Sequence, residues 1–523
     1  MKTIADELFK EFREHSVSEF FRKNAAMLGY TGKIRSLTTI VHEGVTNSID
    51  SAEESSILPK IYVAIKRVDD DPEHLKVIIE DNASGIPEQY IPDVFGKMLA
   101  GTKLHRHMQQ RGQQGIGVSG ACMFAQITSG KPATVITSTG NGETTRMDVM
   151  IDVDKNRGKV LKSEKIKGKW RGTRIELEVK EVAYMRSRYG PFNYLRMTAI
   201  ANPHVHITFV EPDGVMTVFE NAVDKIPDRP KPMPLHPWGI MADDLLMLAK
   251  RTKARTLVTF LSTELSRVSK NKAEETCSIA GVSPDKKPLE LTWEDAERIV
   301  SAFKRVKLLA PPTSGLRPIG ASDVEKGIKK ILNPEFVYAS TRPPRVYRGG
   351  LPFIVEAGIA YGGNAGKTAE GKNEDGEGET GMDLIRFANR APLVFDQGGC
   401  AITAAVKNID WRRYGVDPDN APITLFVNVS SAYVPYTSAG KQSIADEPEV
   451  IEEIRAAIME VARELRKYLY RKIRSREKQE RAGVFERYLP VIAKKAARLA
   501  GVNEPNIKPL LKKITGVEYD EER

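Results

Sequence analysis

Glu43, Asn47 and Asp50, in the run EGVTNSID, are spaced by four and then three residues. On a helix that spacing puts all three side chains on one face. A carboxylate such as Glu43 can polarise an attacking water. An amide oxygen one turn on, at Asn47, can coordinate a magnesium ion that also holds phosphates. Alone, the same pattern describes any solvated polar helix face, and Asp50 is read as structural.

A second segment, DNASG, holds Asp81, Asn82 and Gly85 directly after the apolar run LKVIIE. A carboxylate at a strand end can accept a hydrogen bond from an adenine amino group, and Gly85 lets the backbone approach a base closely. A plain β-turn uses the same residue types. The third segment is RGQQGIGV: Arg111, Gly112, Gln113, Gln114, Gly115, Ile116, Gly117 and Val118. Its glycines free backbone N–H groups, and the small-residue run VSGACMFAQI behind it predicts a helix. A helix N-terminus behind such a loop stabilises phosphate. Thr102 and Lys103, just upstream, add a hydroxyl and a cation for the same phosphates. The order is GxxGxG with no strand immediately before it, so a dinucleotide fold is not indicated. Gly366-Lys367-Thr368 imitates the end of a P-loop. Tyr361 stands where its first glycine belongs, and no apolar helix follows.

These residues need elements to hold them. Periodicity predicts a helix over 34–52 and strands over 61–68 and 75–80. The proline-rich IPDRPKPMPLHP (226–237) breaks the pattern, and helical spacing dominates 238–307. After a second break at 308–318, strands return in EFVYAST, PFIVEAGIAY and ITLFVNVS. The glycine- and glutamate-rich 362–381 has no apolar face and reads as a mobile loop. A long helix is expected from Glu447 to about Arg481. Ile451, Ile454, Ile458, Val461, Leu465 and Tyr468 form its apolar seam, with acidic residues in its first turn and basic ones in its last. At 1.5 Å per residue it would span roughly 50 Å. The predicted domains are 1–228, 229–307, 308–481 and a short helical tail at 482–523.

The bulk numbers set bounds. A chain of 523 residues is too long for one ordinary core. Lys and Arg number 79 against 69 Asp and Glu, a net +10 that mildly favours polyanionic partners. The three cysteines, Cys122, Cys277 and Cys400, form no CxxC pair, which argues against a disulfide framework or zinc knuckle and fits a reducing cytoplasm. No run of about 18 apolar residues appears, so no membrane span is expected, and the N-terminus lacks the apolar core of a signal peptide.

The segments occur in a meaningful order. ExxxN on a helix, a strand followed by DxxxG, a GxxGxG lid, and Gly172-Thr173 opening the strand RIELEV resemble the Bergerat (GHKL) ATP fold. That fold is shared by gyrase-type topoisomerases, Hsp90-type chaperones, MutL repair proteins and sensor histidine kinases. The resemblance implies Glu43 as general base, Asn47 as magnesium ligand and Asp81 as adenine reader. It implies a lid over the phosphates and Thr173 supporting the adenine end. ATP and Mg2+ are the implied cofactors.

TRPPRVYRGGLPFIVEAGIAYGG, RFANRAPLVFDQGGCAIT and YTSAGKQSIA narrow the match. They are similar to the family of DNA topoisomerase VI B subunits, archaeal and plant, over about residues 10–480. That resemblance implies an α+β chain: a Bergerat α/β sandwich, a helix–two-turn–helix middle domain, and a transducer of ribosomal S5 type ending in the long helix. Lys441 becomes the transducer's switch lysine, reaching the γ-phosphate; read alone, it is a loop lysine like any other. The implied partners are the topoisomerase VI A subunit, in an A2B2 heterotetramer, and double-stranded DNA. Dimerisation on ATP would form a gate that captures a duplex for cleavage and strand passage by that second polypeptide, relaxing positive and negative supercoils and decatenating DNA. Some relatives carry a folded β domain at the C-terminus, and residues 482–523 are too few for one. Other uses of the ATP fold stay open at this point. A histidine kinase would need a phospho-accepting histidine on a helical hairpin, which His15 and His42 do not supply. A MutL- or Hsp90-type clamp would lack the inserted helices, and a non-hydrolysing scaffold would not need Glu43.

Overall fold

The structure, a computed structural model, describes residues 25, 28–101, 107–112, 115–153, 155–168, 170–372, 378–438 and 440–515. The chain divides into two units, one of residues 1–409 with 418–461 and one of 410–417 with 462–523.

In the first unit, apolar residues at three- and four-residue steps make a single helix, α1 (Lys33–Glu54). It buries Leu37, Ile40, Val41, Val45 and Ile49. Two strands follow, β1 (Lys60–Arg67) and β2 (Leu75–Asp81), then a short α2 (Ile91–Gly96) and α3 (Gly117–Ser129). Next come β3 (Ala133–Thr139), β4 (Glu143–Asp152), β5 (Arg157–Lys167), β6 (Arg171–Val179), α4 (Pro191–Ala201), β7 (His206–Val210) and β8 (Met216–Phe219). The eight strands form one sheet in the order β5-β4-β3-β6-β2-β1-β7-β8. Its pairs are antiparallel except β1 with β7. Helices α1 and α3 pack on it and on each other, burying the apolar alternates of β1, β2 and β6. That layering leaves the end of β2, the start of β6 and the start of α3 at one edge of α1.

Residues 226–236 carry no regular element, and a helical cluster follows: α5 (Ala242–Arg251), α6 (Leu257–Glu264), α7 (Lys270–Ala280) and α8 (Trp293–Phe303). Side-chain caps start three of them. Thr256 caps α6, Ser269 caps α7, and Thr292 with Asp295 forms a capping box on α8. The cluster has a core of its own around Leu245, Phe260, Leu261, Ile299 and Phe303.

A second sheet follows α9 (Ala321–Leu332). Its strands are β9 (Phe336–Thr341), β10 (Arg345–Tyr347), β11 (Leu351–Tyr361), β14 (Met382–Ala388), β15 (Ala391–Pro392) and β16 (Ile423–Ser431), ordered β10-β11-β16-β14-β15 with β9 also on β11. β11 and β16 are buried along nearly their whole length, which is why they read as largely apolar runs, interrupted by the buried Glu356 and Asn428. Helix α9 packs against α4, and Val324, Ile328, Phe387 and Phe426 join the core of the first sheet. The two sheets therefore share one hydrophobic cluster.

Two expectations need correction. The segment 362–381 is not an irregular loop. Lys367–Lys372 (β12) and Gly378–Thr380 (β13) pair as an antiparallel hairpin. Two bonds close its base: Gly381 N donates to Gly366 O, and Gly366 N donates to the Thr424 side-chain oxygen Oγ1. Pairing of this kind needs no apolar face, so composition could not reveal it. Gly366 and Lys367 thus open a hairpin, not a P-loop helix. The long helix also runs further than expected. After α10 (Ala401–Lys407), α11 spans Pro448–Ala500, with α12 (Lys508–Thr515) beyond it. Gly483, just past the expected end near Arg481, costs about 1 kcal/mol against alanine, too little to stop the helix. In α11, Ile454, Ile458 and Val461 of the expected seam are fully buried.

The second unit holds the later part of α11, α12 and a 3-10 turn at Trp411–Tyr414 that Gly415 closes in a left-handed conformation. Within it, Val502 N donates to Ala497 O where α11 ends, and Ala497 and Leu511 are buried. Among the described residues, no helix is long and apolar enough to cross a membrane.

Candidate nucleotide-binding site

Helix α1 presents Glu43 and Asn47 partly exposed, while Gly44, Val45, Thr46 and Ser48 around them are buried. The two side chains therefore share a partly open strip in the middle of the helix. Opposite them stands the start of α3. A Cβ on Gly117 would lie 2.0 Å from Glu43 Oε2, so any larger residue there must push that carboxylate aside. His42, beside Glu43, packs edge-on to Tyr194 at 5.2 Å, and burial pulls its imidazole below the ordinary value.

Asp81 ends β2 with its side chain buried. Its Oδ1 accepts from Ala83 N at 3.0 Å and Thr173 N at 3.1 Å, and its Oδ2 accepts from the Ser48 hydroxyl at 2.9 Å. Burial raises its carboxyl above the usual range, and these donors oppose the rise. Four elements meet here: α1 through Ser48, the end of β2, the turn after it, and β6 through Thr173. Thr173 Oγ1 lies 3.2 Å from Thr137 Oγ1, and Thr137 Oγ1 accepts from Ile86 N at 2.9 Å. Gly85 has φ +73°, and a Cβ there would strike Ser138 O at 2.1 Å, so this turn requires glycine twice over. Asn82 is structural: its amide bonds Lys60 N and Leu58 O.

Gly115, Ile116, Gly117 and Val118 lead into α3, with Gly115 at φ +64°. Thr102, Lys103, Gln113 and Gln114 lie outside the described residues. Gly112 is described and has no heavy atom within 4 Å of where a Cβ would be.

Lys441, far off in sequence, comes to the lid. Its backbone is left-handed, φ 51°, and its Nζ donates to Arg111 O at 3.4 Å. The strand before it and the loop that carries it thus deliver a cation to the residue that precedes Gly112, which the sequence could not establish.

Arg111 itself departs from expectation. Its guanidinium is buried and turned to protein partners, not toward the Glu43–Asn47 strip. NH1 donates to Asp50 Oδ1 at 2.6 Å, and NH2 donates to Glu53 Oε1 at 2.8 Å and to Asn202 Oδ1 at 2.6 Å. His204 Nε2 sits 2.9 Å from Glu53 Oε1, and Arg390 NH1 3.9 Å from it. A guanidinium committed to two carboxylates and an amide offers a phosphate little. Asp50 is structural, as expected, through this pair. Sequence reasoning missed Ser48, Glu53, Asn202, His204 and Arg390. Only Glu53, three residues past Asp50 on α1, had a spacing signal.

The strap ahead of the lid is tied down residue by residue. Met233 N donates to His107 O at 2.7 Å, and the His107 ring stacks on and hydrogen-bonds Tyr433. Gln109 forms paired bonds with Arg317, Nε2 to its carbonyl at 3.0 Å and Oε1 from its N–H at 2.7 Å. Gln110 O accepts from Asn389 Nδ2 at 3.0 Å. Among the described residues no cluster of three or more His, Cys, Asp or Glu forms a metal cage.

A mixed sheet backed by α1 and α3, with a carboxylate–amide pair under a glycine lid, defines a nucleotide-binding ATPase of the gyrase–Hsp90–histidine kinase class. Residues 32–157 match the family described as histidine kinase-, DNA gyrase B-, and HSP90-like ATPase, and residues 311–481 match the topoisomerase VI B subunit transducer. The chain is 50% identical to the type 2 DNA topoisomerase 6 B subunit of Thermococcus sibiricus, over 99% of this chain and 97% of that one. It is 51% identical to that of Pyrococcus furiosus, over 96% and 94%. It is 50% identical to that of Methanothermobacter thermautotrophicus, over 98% of each. The chain belongs to the family of type 2 DNA topoisomerase 6 B subunits, and is the ATP-binding component of an ATP-dependent DNA topoisomerase.

Proposed function

We propose that Glu43 is the general base for ATP hydrolysis at a site whose closure couples nucleotide state to DNA passage. The apposition of Gly117 and Glu43 is the observation that carries this reading: it sets the lid's end, where phosphates bind, against a carboxylate on α1. Asp81 accepts the adenine amino group, its Oδ1 and Oδ2 already oriented by Thr173 N, Ala83 N and Ser48. The backbone N–H groups of the Gly112–Gly117 lid hold the phosphates, with Thr102, Lys103, Gln113 and Gln114 contributing from the same stretch. Glu43 takes the proton from a water as its oxygen bonds the γ-phosphorus, and the bond from that phosphorus to the β–γ bridging oxygen breaks, leaving ADP. Lys441 neutralises charge at the γ-phosphate, as its position on Arg111 O at the base of the lid supports.

Asn47 fits a Mg2+ ion. Its amide is partly exposed on the same strip as Glu43, and a magnesium held by one or two protein oxygens plus phosphates needs no carboxylate cage. When bound, the ion would neutralise phosphate charge. Two copies dimerise through the ATP-binding domains when ATP is bound and enclose a DNA duplex. The transducer passes that state to a topoisomerase VI A subunit in an A2B2 assembly, and this cleavage subunit cuts the DNA. The net +10 charge supports a polyanion partner.

The test is strand passage by the chain with the cleavage subunit, in ATP and in a non-hydrolysable analogue. ATP-dependent decatenation that Glu43→Ala abolishes supports the reading. Decatenation that is indifferent to ATP, or to Glu43→Ala, overturns it.

A further inference from the structure

The turn between β14 and β15 is made of Asn389 and Arg390, both left-handed, with φ 50° and 68°. Asparagine tolerates that region, and glycine is the usual second residue of such a turn. An arginine there is strained by the order of 1 kcal/mol, and strain of this kind persists where the surroundings over-determine a residue. Arg390 is also buried, a further cost for a charged group.

Its contacts show what holds it. Arg390 NH2 donates to Arg317 O at 3.2 Å and Pro318 O at 3.3 Å, and its NH1 faces Glu53 of α1. Its carbonyl accepts from Asn202 Nδ2 at 3.1 Å, and Asn202 Oδ1 accepts from Arg111. Asn389 Nδ2 donates to Gln110 O and also to Ser431 O on β16 at 2.9 Å, while Asn389 Oδ1 accepts from Ser431 N. The turn is thus bonded to the second sheet, to the strap that begins the lid, and to the last turns of the helix that carries Glu43 and Asn47.

We infer that Asn389 and Arg390 are positioning residues for ATP hydrolysis: the transducer turn holds the lid strap and the end of α1 in one register, so that the lid meets Glu43. This rests on the nucleotide-site reading above and adds the element that regulates it. Asp50 and Glu53 lie three and six residues past Asn47 on one rigid helix, and Arg111 immediately precedes Gly112. A shift of the turn therefore moves both walls of the site together. A cavity of about 290 Å³, lined by Arg111, Arg390, Glu53, Glu54, Arg229 and Pro230 among others, borders the cluster and leaves room for such a shift.

Arg390→Gly suits the turn's backbone while removing the guanidinium. Asn389→Gly keeps the left-handed turn while cutting the bonds to Gln110 and to Ser431. Both are tested in the full chain assembled with the cleavage subunit, beside wild type and Glu43→Ala. The expected result is a chain that still folds and assembles, though with a lower Tm, ADP affinity near wild type, and a kcat for ATP lowered about tenfold in each, partly recovered in Arg390→Lys. A wild-type kcat in both folded glycine variants overturns the inference. If Arg390→Gly does not fold, Asn389→Gly decides by the same criterion. Failure of the underlying site reading shows differently, as equal turnover in wild type and Glu43→Ala, and both then fall.

Discussion

The Cα of Gly117 rests against the carboxylate of Glu43, so closely that a methyl group there would stand 2.0 Å from Oε2. Gly117→Ala must push the carboxylate aside. A flexible carboxylate can move, so the fold survives, and alanine in the first turn of α3 adds about 0.5–1 kcal/mol of stability. Turnover is expected to fall about a hundredfold, the lower range of what a general base supplies. Thermal melting beside steady-state ATPase rates checks both halves, and an unimpaired rate would detach Gly117 from the chemistry.

Asp81→Asn separates binding from folding. An asparagine Oδ1 can keep the bonds from Ala83 N and Thr173 N, and its Nδ2 can donate to Ser48. The variant also removes a buried charge, so its Tm at neutral pH should equal or exceed wild type. The raised carboxyl sets the sign. Its proton is held more tightly in the folded state, so ionised Asp81 weakens stability as pH rises through the folded pKa. Towards ATP, the new amide sets a donor against the adenine amino group. Affinity should fall roughly ten- to a hundredfold, the worth of a hydrogen bond to a charged group. Inosine triphosphate, with a carbonyl at that position, should lose less. Calorimetric titration with both nucleotides decides it.

Lys441→Ala removes the cation at Arg111 O. If Lys441 acts on the γ-phosphate, kcat falls about a hundredfold, as for other lost transition-state donors. ADP, which lacks that phosphate, binds as before. Equal losses for ADP and ATP binding would mark Lys441 as a strut of the lid.

Much of this site was legible because local rules set it. The four-residue step from Glu43 to Asn47, the carboxylate at the end of LKVIIE and the glycines before VSGACMFAQI each follow from a single element's period or turn. What escaped depends on distant packing. Arg111 finds Asp50 and Glu53 about sixty residues back and Asn202 about ninety ahead, and no spacing rule links them. The Asn389-Arg390 turn hid because its second position lacks the glycine that marks such turns. The β12–β13 hairpin hid because its backbone pairing leaves no apolar period in the sequence.

Arg111→Ala takes the nearest cation from the buried Asp50 and leaves Glu53 only the more distant Arg390, which costs about 3–5 kcal/mol. It should also change acid stability. Burial alone would raise the Glu53 carboxyl, but Arg111 and the His204 hydrogen bond hold it well below the ordinary 4.5. A depressed carboxyl contributes stability above its unfolded pKa and loses it as pH falls through the folded one. Without Arg111 that loss comes at higher pH. Urea titrations at neutral pH and acid melts measure the two effects, and an unmoved acid midpoint would contradict the pairing.

The most direct test of the account compares wild type with Glu43→Ala for ATP hydrolysis and for dimerisation driven by a non-hydrolysable analogue, each with the cleavage subunit supplied. The account predicts that both chains dimerise on the analogue and that only wild type turns over ATP. Turnover that survives Glu43→Ala would contradict it, as would a wild-type chain that neither binds nucleotide nor dimerises.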